Sequence, residues 1–245
     1  MELQNLKTKH LGRHIDVFET LPSTNTYLKE QPSLPHGAVA VAFNQTAGRG
    51  RRGRDFFSPQ GGLYMSVRIH RAFTVQTVGL LTSAAALAVA QAIEAVCPVT
   101  VHIKWVNDLL INGKKVCGIL TEGNPADGWA VVGIGINVNT DTFPKELSAI
   151  ASSLYRESGR TVNFEHLSAE ILNRLELLVE NLEGGAFLEE VRHRSAVLDK
   201  TVTVVRGNET FTAHAVDIHN EGGLIIRTAD GRLQVLTSGE VSIRL

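Results

Sequence analysis

Hydrophobic residues recur along the chain in short runs of strand length and in longer stretches with helical spacing. The short runs predict strands at 14–19, 38–43, 63–69, 99–103, 109–111, 116–120 and 129–138. Apolar positions three and four residues apart predict long helices at 76–96 and 164–182. A short helix from 23 to about 30, which Ser23 could cap, and another ending near 197 complete the pattern.

Two glycine-containing segments refine this pattern. Asn112-Gly113 separates two of the predicted strands, and this pair is preferred in type I′ turns, so a hairpin is predicted there. Gly133 and Gly135 lie inside the strand 129–138. Glycines inside a strand indicate a bulge or a place where a ligand approaches the backbone closely.

The chain changes character after residue 199. Short alternating strands are predicted at 201–206, 210–218, 224–228, 233–237 and 241–245, with Gly, Asn and Asp turns between them. This spacing predicts a small antiparallel barrel as a second domain. We therefore divide the chain into domains 1–197 and 198–245.

Composition limits the classes of function. The chain has 245 residues, 43% of them hydrophobic and 20% charged, as in a globular protein with a substantial core. Its net charge of −1 argues against an extended nucleic-acid-binding surface, which would need a basic surplus. The nine histidines form no HExxH motif and no pair with cysteine, so no metal site is predicted.

The cellular location is also predicted from the sequence. Two cysteines without CxxC spacing favour a reducing compartment. The N-terminus has no basic segment followed by an apolar one, so no signal peptide is expected. Polar residues interrupt the apolar stretch 78–96, which is therefore predicted to be a buried helix. We expect a cytoplasmic protein without a membrane segment.

Residues 45–54, Gln-Thr-Ala-Gly-Arg-Gly-Arg-Arg-Gly-Arg, are the most distinctive segment of the chain. Glycines let the backbone approach a ligand, and arginines provide forked donors for phosphate and carboxylate. The segment contains Gly48, Gly50 and Gly53 in a GxGxxG arrangement. No helix start follows, so a dinucleotide-binding fold is not predicted. A solvated loop and a loop that contacts nucleic acid remain alternatives.

Lys104-Trp105-Val106-Asn107-Asp108 follows the predicted strand 99–103. One interpretation is a salt bridge from Lys104 to Asp108 beside a core tryptophan. The other is a lysine held over a carboxylate or phosphate. Asn137 likewise fits either a turn or a contact with a base or phosphate.

Several of these segments occur together in one family. They are Ser-Thr-Asn (23–25), the Gly/Arg segment (45–54), Lys-Trp-x-Asn-Asp (104–108), Lys-x-x-Gly-Ile-Leu-x-Glu (115–122) and Gly-Ile-Gly-Ile-Asn (133–137). In order and spacing the chain resembles biotin protein ligases, and the resemblance covers nearly all of it. The C-terminal barrel, ending in Ser-Gly-Glu-Val-Ser-Ile-Arg (238–244), resembles their SH3-like domain.

The resemblance implies an α+β fold. Residues 1–197 would form a biotin- and ATP-binding catalytic domain of the class II synthetase type, with a mixed, mainly antiparallel sheet packed with helices. Residues 198–245 would form the SH3-like barrel. The implied reaction has two steps: ATP converts biotin to biotinyl-5′-AMP, and a lysine of a biotin carboxyl carrier protein, such as an acetyl-CoA carboxylase subunit, then accepts the biotin. Mg²⁺ is expected with ATP.

The resemblance also implies roles for individual residues. Those expected to bind biotin are Ser23, Thr24, Asn25, Gln45, Gly48, Arg49, Gly50, Arg51, Lys104 and Gly118. Those expected to bind the nucleotide are Arg49, Gly50, Arg51, Arg52, Arg54, Phe56, Lys104, Asn107 and Asn137. Lys104, Arg49 and Arg51 would be catalytic, because both steps develop negative charge on phosphate oxygens.

The chain departs from the family pattern at two positions. Val106 replaces a frequent proline, with little consequence. Phe56 lies where a tryptophan often covers the adenine, which leaves nucleotide affinity open. Some family members repress transcription through an N-terminal helix-turn-helix domain. About 20 residues precede Ser23 here, so we expect no operator binding.

Two alternatives compete with this interpretation. A lipoate or octanoate ligase or transferase has the same catalytic fold but would not usually combine the Gly/Arg segment with this barrel. An RNA-binding protein could use an Arg/Gly loop, but it would need a basic surface and stacking aromatics, and aromatics are 6% of this chain. The predicted α+β architecture leaves part of its sheet exposed, which is compatible with a homodimer.

Overall fold

The computed structural model describes residues 3–71, 75–124, 127–237 and 241–244, which form two sheets and a helical layer. The first sheet contains β1 (Ile15–Phe18), β2 (Val39–Ala42), β3 (Gly62–His70), β4 (His102–Lys104), β5 (Asp108–Ile111), β6 (Lys114–Asn124) and β7 (Trp129–Asn137). The second contains β8 (Thr201–Arg206), β9 (Glu209–Ile218), β10 (Leu224–Arg227), β11 (Leu233–Leu236) and β12 (Val241–Arg244). The helices are α1 (Thr24–Lys29), α2 (Val75–Val96), α3 (Leu154–Ser158), α4 (Phe164–Glu180) and α5 (Leu188–His193).

The first sheet has the strand order β1-β2-β3-β7-β6-β5-β4, in which only β1 and β2 pair in parallel. One face of this sheet packs against α2, whose many alanines let the helix lie close to the strands. Residues 77–96 of α2 are apolar and long enough to cross a membrane, yet 78% of the most apolar window is buried inside the protein. Such burial is typical of a core helix.

The hairpin between β5 and β6 confirms the turn predicted at Asn112-Gly113. Both residues have positive φ, 50° and 78°, as a type I′ turn requires. The tight turn brings β5 and β6 into antiparallel register, with Asp108 opposite Gly118.

The second sheet has the order β11-β10-β9-β8-β12 and is antiparallel throughout. Its inner side chains, among them Val204 and Ala215, join the same hydrophobic core as α2. The Trp105 indole Nε1 donates a hydrogen bond to the carbonyl oxygen of Gly222 at 2.9 Å, which ties the two sheets together. The predicted α+β class with a small C-terminal antiparallel unit is confirmed.

Several elements differ from the prediction, among them the helix expected to end near 197, which ends at His193. The predicted strand 99–103 is reduced to β4, because the backbone N–H of Val101 donates to the Glu94 carboxylate of α2. The predicted helix 164–182 ends at Glu180 and continues as a 3-10 turn, Leu182–Gly184. Helix α3 was not predicted because its five residues are too few to show a periodicity. Positions 238–240 and 245 of the predicted C-terminal segment lie outside the described residues.

A buried carboxylate attaches the N-terminal segment to α4. Glu176 accepts hydrogen bonds from the backbone N–H groups of Lys9 at 2.5 Å and of His10 and Leu11 at 2.8 Å. Burial favours a raised pKa for Glu176, but these hydrogen bonds outweigh it and hold the pKa below the ordinary value. The segment therefore depends on an ionised side chain.

We predict that Glu176→Gln lowers the free energy of unfolding by about 1–3 kcal/mol, because an amide cannot accept all three bonds. Since the folded-state pKa is depressed, the stabilisation is complete above the ordinary value of 4.5 and is lost as the pH falls through the folded value. Urea unfolding at pH 7 and in acid measures both effects. The control is Glu183→Gln, which removes an exposed partner of Arg71. Equal stability of wild type and Glu176→Gln at pH 7 would refute this account.

Candidate active site

The face of the first sheet opposite α2 has a floor of three glycines. Strand register places Gly118 opposite Gly135, and Gly133 lies on the same face two residues along β7. The alternate residues Val132 and Ile134 turn to the other face and join the core. Because glycine has no side chain, the backbone of β6 and β7 is accessible here. This agrees with the close approach predicted at Gly133 and Gly135.

Neutral polar groups from α1 and the loop after β2 lie at one end of this floor. The Ser23 hydroxyl accepts a hydrogen bond from the Thr26 N–H and caps α1. The Gln45 side-chain oxygen accepts from the Thr24 backbone N–H at 2.9 Å, and the Gln45 amide donates to the Ser58 hydroxyl. These contacts fix the orientation of the Gln45 amide.

Both the nitrogen and the oxygen of the Asn25 side-chain amide form hydrogen bonds with residues of the sheet. Its nitrogen donates to the carbonyl oxygen of Leu120 at 3.1 Å and to Glu122 Oε2 at 2.9 Å. Its oxygen accepts from the fully buried Ser66 hydroxyl at 2.6 Å. A Cβ on Gly133 would lie 2.2 Å from the same oxygen, so only glycine leaves room for Asn25.

The Gly/Arg segment folds as a narrow hairpin at the other end of the floor. The Gly50 N–H donates to the Arg54 carbonyl oxygen at 2.7 Å, and the Phe56 N–H donates to the Gly48 carbonyl oxygen at 2.9 Å. At its tip, Arg52 has a left-handed φ of 59° and donates to the Val205 carbonyl oxygen at 3.2 Å. The hairpin therefore contacts the second sheet.

Arg51 turns from the hairpin toward the segment that links β4 and β5. Its guanidinium donates to Asn107 Oδ1 at 3.2 Å. Burial lowers the pKa of Arg51, and the charges of Arg52 and Arg54 act in the same direction, against the attraction of Asp108. An anionic ligand would relieve this unfavourable concentration of positive charge.

Phe56 lies on the glycine floor. Its ring carbons are 3.0 Å and 2.7 Å from the positions that a Cβ on Gly118 and on Gly135 would take. Lys115 Nζ is 5.4 Å from the ring centre. The ring thus covers the part of the floor where Gly118 was expected to meet biotin.

Lys115 also forms an ion pair that sequence analysis did not identify. Its Nζ is 2.7 Å from Asp108 Oδ1, across the β5–β6 hairpin. Sequence analysis had offered a salt bridge from Lys104 to Asp108 as one of two interpretations, and Lys115 is a further partner of Asp108. Trp105 is 5% exposed, which confirms it as a core tryptophan.

Together these residues enclose a cavity of about 130 Å³. The lining residues include six with cationic side chains and only Asp55 and Asp108 with carboxylates. The cavity therefore has neutral polar groups at one end of the glycine floor and a strongly cationic group of residues at the other. Such an arrangement binds a ligand with a neutral polar part and an anionic part. Among the residues described in both sheets and the helical layer, no cluster of three or more His, Cys, Asp or Glu could hold a metal ion.

The structure brings most of the predicted site residues together. The cavity is lined by Ser23, Thr24, Asn25, Gln45, Arg49, Gly50, Arg51, Arg52, Arg54, Phe56, Lys104, Asn107 and Gly118. Gly48 and Asn137 lie outside the lining. A Cβ on Gly48 would meet Ser58 Oγ at 2.3 Å, so this glycine serves the folding of the hairpin. Asn137 is buried, and its Oδ1 accepts no hydrogen bond from the described residues.

Sequence analysis gave no site role to several residues that line the cavity. They are Asp55, Tyr64, Trp105, Asp108, Lys115, Ile119, Leu120 and Ile134; Gly133 and Gly135, which also line it, had been predicted only as glycines that mark a bulge or a close approach of a ligand. The segment 115–122 had been singled out as a motif, yet only Gly118 in it was assigned a role. The alternation of side chains along β6 could have identified further residues near the site, because Gly118, Leu120 and Glu122 must lie on the same face of the sheet.

Comparison with protein-family models gives two matches. Residues 17–141 match the biotin/lipoate A/B protein ligase family, and residues 197–244 match the biotin protein ligase C-terminal domain. The second match coincides with the five strands of the second sheet.

Individual proteins of known sequence or structure are also similar. The bifunctional ligase/repressor BirA of Bacillus spizizenii is 36% identical over 92% of this chain and 73% of its own length. A biotin–[acetyl-CoA-carboxylase] ligase of Mycobacterium tuberculosis is 31% identical over 94% of this chain and 88% of its own. The structure of an Aquifex aeolicus biotin protein ligase in complex with biotin and ATP superposes with a TM-score of 0.84, at 29% identity, over 95% of this chain and 99% of that one.

We predict that Gly133→Ala displaces Asn25 and lowers the free energy of unfolding by about 1–3 kcal/mol, because the new methyl group would overlap the Asn25 amide. Thermal or urea unfolding measures the loss. Gly184→Ala is the matched control, since no atom lies within 4 Å of its added Cβ. A Gly133→Ala protein as stable as this control would contradict the packing described for Asn25.

Proposed function

Because the chain belongs to the biotin/lipoate A/B protein ligase family, we propose that it is an ATP-dependent biotin protein ligase. It activates biotin as biotinyl-5′-AMP and transfers biotin to a lysine of a biotin carboxyl carrier protein. One observation carries the proposal: neutral polar groups and six cationic residues share one glycine floor. Biotin has a neutral ureido ring and a carboxylate, and ATP adds further negative charge.

The neutral end fits the ureido ring of biotin. Ser23 keeps a hydroxyl proton that it can donate, because its oxygen acts as acceptor in the helix cap. Gln45 has a second amide hydrogen beyond the one that it donates to Ser58. Asn25 differs, since both of its amide hydrogens are already donated to the sheet. We therefore propose that Ser23, Thr24 and Gln45 contact the ring and that Asn25 supports them. A ligand without matching polar groups would leave buried groups unpaired.

The cationic end fits the first chemical step. A biotin carboxylate oxygen attacks the α-phosphorus of ATP, a new P–O bond forms, and the bond to the β-phosphate oxygen breaks to release pyrophosphate. Arg49, Arg51 and Lys104 would offset the charge that develops on the phosphate oxygens. Lys115 belongs with them, because its ammonium group lies beside Gly118 on the floor. Positioning supplies the rest, since the two reactants are held together.

The second step uses the same cations. The neutral ε-amine of the carrier lysine attacks the acyl carbon of biotinyl-5′-AMP, an amide bond forms, and AMP leaves with the electron pair of the broken C–O bond. The amine proton passes to solvent or to the departing phosphate. Stabilising the AMP oxygens favours departure, so the cations assist both steps.

Further parts of the proposal concern the nucleotide and its metal ion. We propose that Arg52, Arg54, Phe56 and Asn107 bind the nucleotide. Asn137 is kept in this proposal on the family resemblance alone, since it is buried outside the lining of the cavity. Mg²⁺ would arrive with the phosphates and supply charge neutralisation. The residues fit, because Mg²⁺ bound to phosphates needs only one or two carboxylates, and Asp55 and Asp108 line the cavity.

The wider description of the protein is likewise proposed. It includes a boundary between residues 197 and 198, a cytoplasmic location and an acetyl-CoA carboxylase subunit as carrier. The relative from Mycobacterium tuberculosis, by its name, acts on that carboxylase. Homodimer formation and the lack of operator binding stay predictions. The RNA-binding alternative has no support in the comparisons.

We predict that exchange of pyrophosphate into ATP requires Mg²⁺ and biotin and does not occur with lipoate, octanoate or no acid. The match to the C-terminal domain of biotin protein ligases favours biotin over the lipoate alternative. The assay uses the purified chain and labelled pyrophosphate. Exchange with lipoate or octanoate would assign the protein to the sister enzymes of the family. A lack of exchange with every acid would refute the proposed function.

We predict that Lys104→Ala and Lys115→Ala each slow both half-reactions by about 100-fold, because each removes a cation from the reacting groups. Single-turnover assays measure adenylate formation and transfer separately. Lys114→Ala is the matched control, since Lys114 precedes Lys115 in β6 and does not line the cavity. A variant that keeps wild-type turnover would remove its lysine from the mechanism.

A further inference from the structure

We propose that Ser66 is a positioning residue that determines ligand specificity. It accepts the Thr24 hydroxyl hydrogen, so that the Thr24 oxygen faces the cavity as an acceptor for a ligand N–H group. Ser66 is fully buried in β3 and does not line the cavity, whereas Thr24 does. Ser66 therefore acts through Thr24. The proposal deepens the proposed function and rests on it for the nature of the ligand, a cyclic urea.

The direction of the hydrogen bonds follows from the orientation of the Asn25 amide. Its nitrogen lies 3.1 Å from the Leu120 carbonyl oxygen and 2.9 Å from Glu122 Oε2. Burial favours a raised pKa for Glu122, but hydrogen bonds from Lys29 and Asn25 outweigh burial and lower the pKa, so this carboxylate is ionised and only accepts. Since both of these partners are acceptors, the Asn25 oxygen must face Ser66, whose hydroxyl oxygen lies 2.6 Å away.

The contact with Asn25 determines where the Ser66 hydrogen points. An amide oxygen only accepts, so Ser66 donates its one hydroxyl hydrogen to Asn25. The Thr24 hydroxyl oxygen lies 2.7 Å from the Ser66 oxygen. Because the Ser66 hydrogen is already used, the hydrogen of this second bond comes from Thr24. The three residues thus form one hydrogen-bond chain, in which Thr24 donates to Ser66 and Ser66 donates to Asn25.

Gln45 offers the Thr24 hydroxyl a competing acceptor. Gln45 Oε1 lies 3.2 Å from the Thr24 hydroxyl oxygen and already accepts from the Thr24 backbone N–H at 2.9 Å. This orientation of Gln45 is fixed, since its amide donates to the Ser58 hydroxyl, which donates to the Phe56 carbonyl oxygen. A Thr24 hydroxyl that donated to Gln45 would leave one of the two short oxygen pairs around Ser66 without a hydrogen between the oxygens. The hydrogen-bond chain is therefore favoured.

The hydrogen-bond chain gives the neutral end of the cavity both kinds of hydrogen-bonding group. Ser23 and Gln45 each keep a hydrogen to donate, and Thr24 supplies an acceptor. A cyclic urea has one carbonyl oxygen and two N–H groups, so it needs both kinds. A ring with an oxygen in place of the N–H group would place two lone pairs against each other at Thr24. The cavity should reject such a ligand, because buried polar atoms would stay unpaired.

The first test measures, by calorimetry, dissociation constants for biotin and for the two cyclic carbamates in which an oxygen replaces one or the other ureido N–H. The wild-type protein should bind one of these carbamates about 100-fold more weakly than biotin. Ser66→Ala should reduce this preference about tenfold, because Thr24 can then turn its hydrogen toward the ring oxygen. Ser66→Cys, with a weaker donor and acceptor, should reduce it in the same direction and serves if Ser66→Ala does not fold.

Ser168→Ala is the matched control. Ser168 is also fully buried, but it lies in α4 outside the cavity lining, and its hydroxyl has no hydrogen-bond partner among the described residues. Its removal should leave the preference for biotin within about twofold of wild type. Equal weakening of biotin and both carbamates in Ser66→Ala would indicate a purely structural role and overturn the proposal. So would an unchanged preference.

The second test needs no ligand. Ser66→Ala and Thr24→Val each remove the hydrogen bond between these two side chains. In urea unfolding, the double variant should therefore lose less free energy of unfolding than the sum of the two single losses. Additive losses would overturn the proposal. If the wild-type protein does not bind biotin, the proposed function fails, while the unfolding comparison still decides whether Ser66 holds the Thr24 hydroxyl.

Discussion

The site depends on the antiparallel register of β3, β6 and β7. This register aligns Gly118 with Gly135, places Gly133 in the next row and sends the intervening large residues into the core. One face of the sheet is therefore closely packed against α2, while the other has a bare patch of backbone. Every polar group of the cavity is arranged around that patch. A shift of one residue in the register would exchange the two faces.

The cavity also depends on the second sheet. Trp105, in the segment between β4 and β5, donates to the carbonyl oxygen of Gly222, and Arg52, at the tip of the hairpin, donates to that of Val205. Both segments carry residues that line the cavity. The second sheet thus supports two walls of the site while lying outside it. The residues described in β8–β12 do not themselves line the cavity, so the second sheet contacts the site only through these neighbouring segments.

The sequence predicted the elements and most cavity residues but not their connections. Asn112-Gly113 predicted its hairpin because the residue preferences of a turn are local. The positive charge of the Gly/Arg segment follows directly from its arginines. Lys115–Asp108 was missed, although both residues lie in the strands of the predicted hairpin. Arg49–Glu122 could not be predicted, because it joins residues that are far apart in the sequence. Ser66 was missed for the same reason: a serine within an apolar strand shows its partners only after β3 meets α1. The truncation of the strand 99–103 likewise depends on Glu94 in α2.

The attachment of the N-terminal segment to Glu176 has a practical consequence. The segment runs along α4 and Leu11 enters the core shared with α2, so it lies on the helical side of the first sheet. The cavity opens on the opposite side. A tag or fusion partner joined ahead of this segment would emerge behind the sheet, where it would not obstruct a macromolecule approaching the cavity mouth. Immobilisation through the N-terminus would for that reason present the site outward.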